Sequence, residues 1–93
     1  MVVISCQVEM YLPESQSLKD KRQVIKSLKG RIHSRFEVAV AEVDHSQLWQ
    51  RSALGIAVVS NTYKHADEVL SSVIRFIEQD LRVQVLEIRS EQC

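Results

Sequence analysis

The sequence is poor in the residues that punctuate and staple chains: two glycines, one proline and two cysteines in 93 residues, with aromatics at 5%. So little glycine leaves no glycine-rich turn able to cradle a phosphate. So little proline and glycine, beside 45% hydrophobic residues, excludes a linker or a disordered chain. The two cysteines make no disulfide framework: Cys6 sits in an apolar alternation and reads as a small core residue, and Cys93 ends the chain. His33, His45 and His65 are scattered, with no His-x-x-x-His or Cys-x-x-Cys spacing, so no metal or other cofactor is expected. No serine, cysteine or lysine stands where a partner would activate it as a nucleophile. No basic segment followed by an apolar run marks a signal peptide, and no stretch reaches the ~20 apolar residues of a membrane span. A reduced, cytoplasmic, non-enzymatic protein without membrane contact is the expectation.

What is present is enough apolar residue for one two-layer core, so residues 1–93 are expected to form a single domain. From Val2 to Leu12 the chain alternates, with Ile4, Cys6, Val8, Met10 and Leu12 on one side, until Pro13 stops the strand. Ser17-Leu18-Lys19-Asp20 is a helix start, and Leu18, Val24, Ile25, Leu28 and Ile32 give an apolar stripe running to about Ser34. Phe36 to Val43 and Ala53 to Ser60 alternate as two further strands. A second helix follows Ser60-Asn61-Thr62, with Ala66, Val69, Leu70, Val73, Ile74 and Ile77 inward. Arg82 to Arg89 closes the chain as a fourth strand, with Val83 and Val85 buried and Leu86 and Ile88 as further core candidates. The order β-α-β-β-α-β predicts a ferredoxin-like α+β fold: a four-stranded antiparallel sheet with both helices on one face.

The zero net charge conceals a separation. Residues 17–35 carry seven basic residues against Asp20 alone, a local +6, which leaves −6 for the rest. Lys19, Arg22, Lys26 and Lys29, with His33, follow the i+3, i+4 spacing of one helix arc. Such an arc is either a solvated surface or a row of phosphate contacts. Lys21 falls toward the apolar side and is expected to snorkel past the sheet end on its methylene stem. The other face of the sheet offers Ala39, Ala41, Val43, Gly55, Ala57 and Val59, a patch of small apolar groups suited to a second copy of the chain. With Tyr11 as its one aromatic, that face is no stacking platform for RNA bases.

The connection between the two middle strands concentrates the remaining chemistry: Glu42, Asp44, His45, Trp49 and Arg51. Glu42 and Asp44 fall on one side of an unbroken strand and His45 on the other, which argues against an acid–base site. The expected role is an interaction loop. Leu48 and Trp49 would cover the sheet end or a partner, and Asp44 and Arg51 would hold the loop.

The segments Leu12-Pro13-Glu14-Ser15, Ser17-Leu18-Lys19-Asp20-Lys21-Arg22, Phe36 to His45, Leu48-Trp49-Gln50-Arg51, Leu54-Gly55 and Val59-Ser60-Asn61 resemble the YlxP-like, or DUF503, family of small bacterial proteins. The resemblance implies a ferredoxin-like domain without assigned activity. Its genes often neighbour those of translation initiation factor 2 and ribosome-binding factor A, so it implies work near the ribosome. Together these readings give a module expected to contact ribosomal RNA or a ribosome-assembly factor through Lys19, Arg22, Lys26 and Lys29. The alternative is a homodimeric protein-binding scaffold built on the open sheet face; an enzyme using residues 42–51 is the third reading.

Overall fold

The structure, a computed structural model, describes the backbone of residues 1–92 and the side chains of residues 1–90; Cys93 lies outside the described residues. The elements are β1 (Val2–Tyr11), α1 (Leu18–Arg35), β2 (Ala39–Asp44), β3 (Arg51–Ser60), α2 (Tyr63–Glu78) and β4 (Gln84–Gln92). The strands form one antiparallel sheet in the order β2-β3-β1-β4. This is the ferredoxin-like α+β arrangement the sequence predicts.

Alternation in β1 decides which face is buried. Ile4, Cys6, Val8, Met10 and Leu12 pack with Leu54, Ile56 and Val58 of β3 against Ile25, Leu28 and Ile32 of α1 and Leu70, Val73 and Ile77 of α2. Both helices therefore lie on one side of the sheet, and the other side is open. The first helix is capped by Ser17, as the sequence suggests, and the second by Thr62, one of the three candidates Ser60, Asn61 and Thr62. The Ser17 hydroxyl accepts from the Asp20 amide at 3.0 Å, and the Thr62 hydroxyl accepts from the His65 amide at 3.2 Å, satisfying a free first-turn donor in each case.

The strand ends differ from the alternation. After α1 the chain runs extended through Phe36, whose ring packs edge to face on Phe76 with centroids 5.8 Å apart, so β2 starts only at Ala39. The strand β3 starts two residues before the expected Ala53 because Arg51 and Ser52 pair with Tyr11 and Met10, which shortens the connection after β2 to residues 45–50. The strand β4 starts later than Arg82, because Asp80 holds that residue in a turn, accepting from its amide at 2.9 Å and its guanidinium at 2.7 and 3.0 Å. Val83 is buried as expected, but Leu86 and Ile88 are 45% and 38% exposed. They lie on the edge strand, past the reach of α2, which packs chiefly over β1 and β3. No helix among the described residues is long and apolar enough to cross a membrane.

Candidate functional site

Two groups of side chains carry the chemistry, one on each side of the sheet. On the helix side, α1 presents Lys19, Arg22 and Lys26 exposed and Lys29 half-buried, because its apolar stripe turns Ile25, Leu28 and Ile32 into the core. Among the described residues none of these four makes an ion pair, whereas Lys21, Arg31, Arg51, Arg82 and Arg89 all do.

Lys21 departs from expectation. It is fully buried, not snorkelled to water. Its Nζ donates to the carbonyl oxygens of His45, Ser46 and Arg51 at 2.7, 3.2 and 3.4 Å and lies 3.1 Å from Glu42 Oε2. The charge is tolerable there because the chain turns its carbonyls and one carboxylate onto it. A single α1 side chain thus fixes the connection between β2 and β3. The Gln50 side chain adds to this by donating to the carbonyls of Pro13 and Ser15, both at 3.2 Å.

On the open face, Glu42 and Asp44 do not share a side. The register slips between them: Glu42 pairs with Leu54 but Asp44 with Ala53. This bulge sends Glu42 inward, where it accepts from Ser52 Oγ at 2.6 Å, and Asp44 outward. His45 then adopts a left-handed backbone (φ 61°), and its ring lies on the open face, as the alternation places it, but with Asp44 now beside it. Its Nε2 lies 2.9 Å from Glu9 Oε2, and its Nδ1 lies 3.7 Å from Asp44 Oδ1. Glu9, which sequence reasoning placed on the open face but not in this group, is 5% exposed. It also accepts from Gln7 at 3.3 Å and from Arg51 Nη2 at 3.4 Å. Burial raises the Glu9 pKa, but the hydrogen bonds from His45 and Gln7, the His45 charge and the Arg51 hydrogen bond outweigh it and hold the carboxyl below its ordinary value. The only sign of this pairing in the sequence was an acidic residue in a strand position otherwise suited to a neutral one.

Glu9, Asp44 and His45 offer ligand atoms within 4.8 Å of one another and are the described residues that could hold a metal ion. The Arg51 guanidinium already donates through Nη2 to Glu9 Oε2 at 3.4 Å, while its buried Nε has no hydrogen-bond partner among the described residues. Trp49 and Leu48 do not cover the sheet end; at 56% and 48% exposed they project from the loop that Lys21 and Gln50 fix. Asp44 accepts from the amide of its neighbour His45 at 2.7 Å, while the Arg51 side chain turns to Glu9. The small apolar patch is in place: Val43 and Val59 are 52% and 63% exposed, and Ala39, Ala41 and Ala57 line a shallow depression beside Gly55.

The family model described as "Protein of unknown function (DUF503)" matches residues 3–90. The chain is 31% identical over 83 residues to the uncharacterized protein YlxP of Bacillus subtilis (strain 168), covering 89% of this chain and 90% of that protein.

Proposed function

This chain belongs to the DUF503 family, and from that premise we propose that it is a non-enzymatic cytoplasmic module that binds structured RNA, ribosomal RNA in the first instance, through α1. One observation carries the reading: Lys19, Arg22, Lys26 and Lys29 form a helical row of cations with no ion-pair partner among the described residues. A folded protein with twelve acidic residues has carboxylates enough to neutralise such a row. Here Glu9, Glu42, Asp80 and Glu87 serve Arg51, Lys21, Arg82 and Arg89 instead, and the free row suits successive phosphates, whose neutralisation releases counterions. Held rigid by Lys21, the loop bearing Trp49 supplies a second contact for a protein of the same assembly, since an exposed tryptophan on a fixed backbone costs little entropy to bury.

The test is binding of the purified protein to ribosomal subunits and to a generic structured RNA. The triple variant Arg22→Glu, Lys26→Glu, Lys29→Glu leaves the core untouched, so it folds and loses binding if α1 is the contact. Retained binding refutes the reading.

A second reading rests on the open face. The exposure of Val43 and Val59 beside three alanines favours a homodimer in which this patch meets its own copy, with the basic helix as a solvated surface. Val59→Lys separates such a dimer without affecting RNA binding.

A further inference from the structure

The sheet has a second unpartnered feature that neither RNA binding nor the open-face patch uses: its β4 edge. The opposite edge is blunted, because β2 has six residues and ends in the bulge before His45. The strand β4 is nine residues long, contains no proline or lysine, and is paired on one side only, with β1. Ile88 pairs with Val8, which is fully buried, and so points to the helix side of the sheet. It is nevertheless 38% exposed, and Leu86, the extra residue of the bulge opposite Glu9 and Met10, is 45% exposed beside it. The bulge at Leu86 and the charges of Glu87 and Arg89 leave this edge unpaired among the described residues, and a long edge with exposed apolar side chains is one another strand can cover.

We infer that the covering strand is β4 of a second copy, antiparallel about a two-fold axis through Ile88. The charges select that register. Glu87 and Arg89 share the open face, 3.2 Å apart, with side chains 55% and 60% exposed. An axis at Ile88 sets Glu87 of each copy opposite Arg89 of the other and stacks the two Ile88 side chains on the helix side. Moving the axis one residue in either direction opposes Glu87 to Glu87 or Arg89 to Arg89, which cross-strand pairing penalises. The result is one eight-stranded sheet. An axis normal to the sheet keeps all four helices on the same side, so both basic α1 helices face the same RNA and bind it together with greater avidity. The inference stands independently of RNA binding and concerns a surface distinct from the Val43 and Val59 patch.

Sedimentation equilibrium of the full chain, with circular dichroism to confirm folding, tests it by charge exchange. The unchanged protein dimerises at micromolar to millimolar concentration. Glu87→Arg alone and Arg89→Glu alone each weaken the dimer by about tenfold or more, since both opposed pairs become repulsive. An equimolar mixture of these two variants associates as a heterodimer, and the double exchange Glu87→Arg, Arg89→Glu restores the homodimer. Val59→Lys leaves this dimer intact. A protein that stays monomeric throughout the concentration range overturns the inference, and so does a dimer whose strength is indifferent to both single exchanges or is lost in Val59→Lys.

Discussion

Replacing Lys21 by methionine tests how far one buried cation organises the candidate interaction loop. Methionine matches the length and apolar stem of lysine but donates nothing, so the carbonyls of His45, Ser46 and Arg51 and the carboxylate of Glu42 lose a donor now 2.7 to 3.4 Å away. Removing one partner of a buried ion pair costs about 3–5 kcal/mol. The lower end applies here, because the Glu42 side chain is 20% exposed and keeps its 2.6 Å hydrogen bond from Ser52, and because the loop carbonyls can recruit water. A loss of about 3 kcal/mol is a large share of the 5–15 kcal/mol that stabilises a typical domain. At ~4–8 °C per kcal/mol for a chain of this size it lowers Tm by roughly 12–24 °C. Urea denaturation gives the free energy. Amide exchange gives its location, with the Leu48 amide, bonded to His45 O at 3.0 Å, losing protection before the sheet does. Glu42→Gln, which leaves the fully buried Lys21 ammonium three carbonyls but no countercharge, costs about 2–3 kcal/mol. A loss below about 1 kcal/mol in Lys21→Met, or unchanged exchange in residues 45–50, would refute the assignment of Lys21 as the loop's anchor.

Other outcomes follow from the same packing. Because the folded Glu9 carboxyl titrates below its ordinary value near 4.5, its contribution is complete above that value and is lost as pH falls through the lower folded one; urea midpoints therefore drop on acidification, and Glu9→Gln flattens that part of the curve. Gly55→Ala places a Cβ 2.9 Å from Val43 Cγ1 and costs about 1 kcal/mol, a loss that thermal melts find abolished in a Val43→Ala background. Cys6, 3% exposed and with its thiol pushed by burial up to about 11, stays unreactive toward a thiol-disulfide reagent in the native protein and reacts once urea unfolds it.

The fold was legible because its signals are local. Five alternating residues from Ile4 to Leu12 define a buried face, Ser17 caps the first helix as expected, and Thr62 caps the second from among the three adjacent candidates. The α1 stripe was legible for the same reason: residues three and four apart on a helix share a face whatever surrounds them. The open-face cluster was not. Its geometry depends on a bulge between Glu42 and Asp44 and on a positive φ at His45, and an unbroken alternation carried past Glu42 puts Asp44 on the helix side, away from His45. The burial of Lys21 was not legible because its partners lie 21 to 30 residues away, and a helical wheel cannot tell a lysine that reaches water from one that reaches a ring of carbonyls. Leu86 and Ile88 are only core candidates by sequence, and their exposure follows from β4 being an edge strand.

The measurement that bears most directly on α1 as the RNA-binding surface is the salt dependence of that binding, by fluorescence anisotropy on a structured ribosomal RNA fragment. Four phosphate contacts, one each from Lys19, Arg22, Lys26 and Lys29, predict that log K falls against log salt with a slope of roughly −2.8 on single strands to −3.6 on duplex. The Arg22→Glu, Lys26→Glu, Lys29→Glu variant should lose binding at every salt concentration. A slope near zero, or a variant that binds as tightly as the unchanged protein, would contradict the assignment of α1 as the RNA-binding surface.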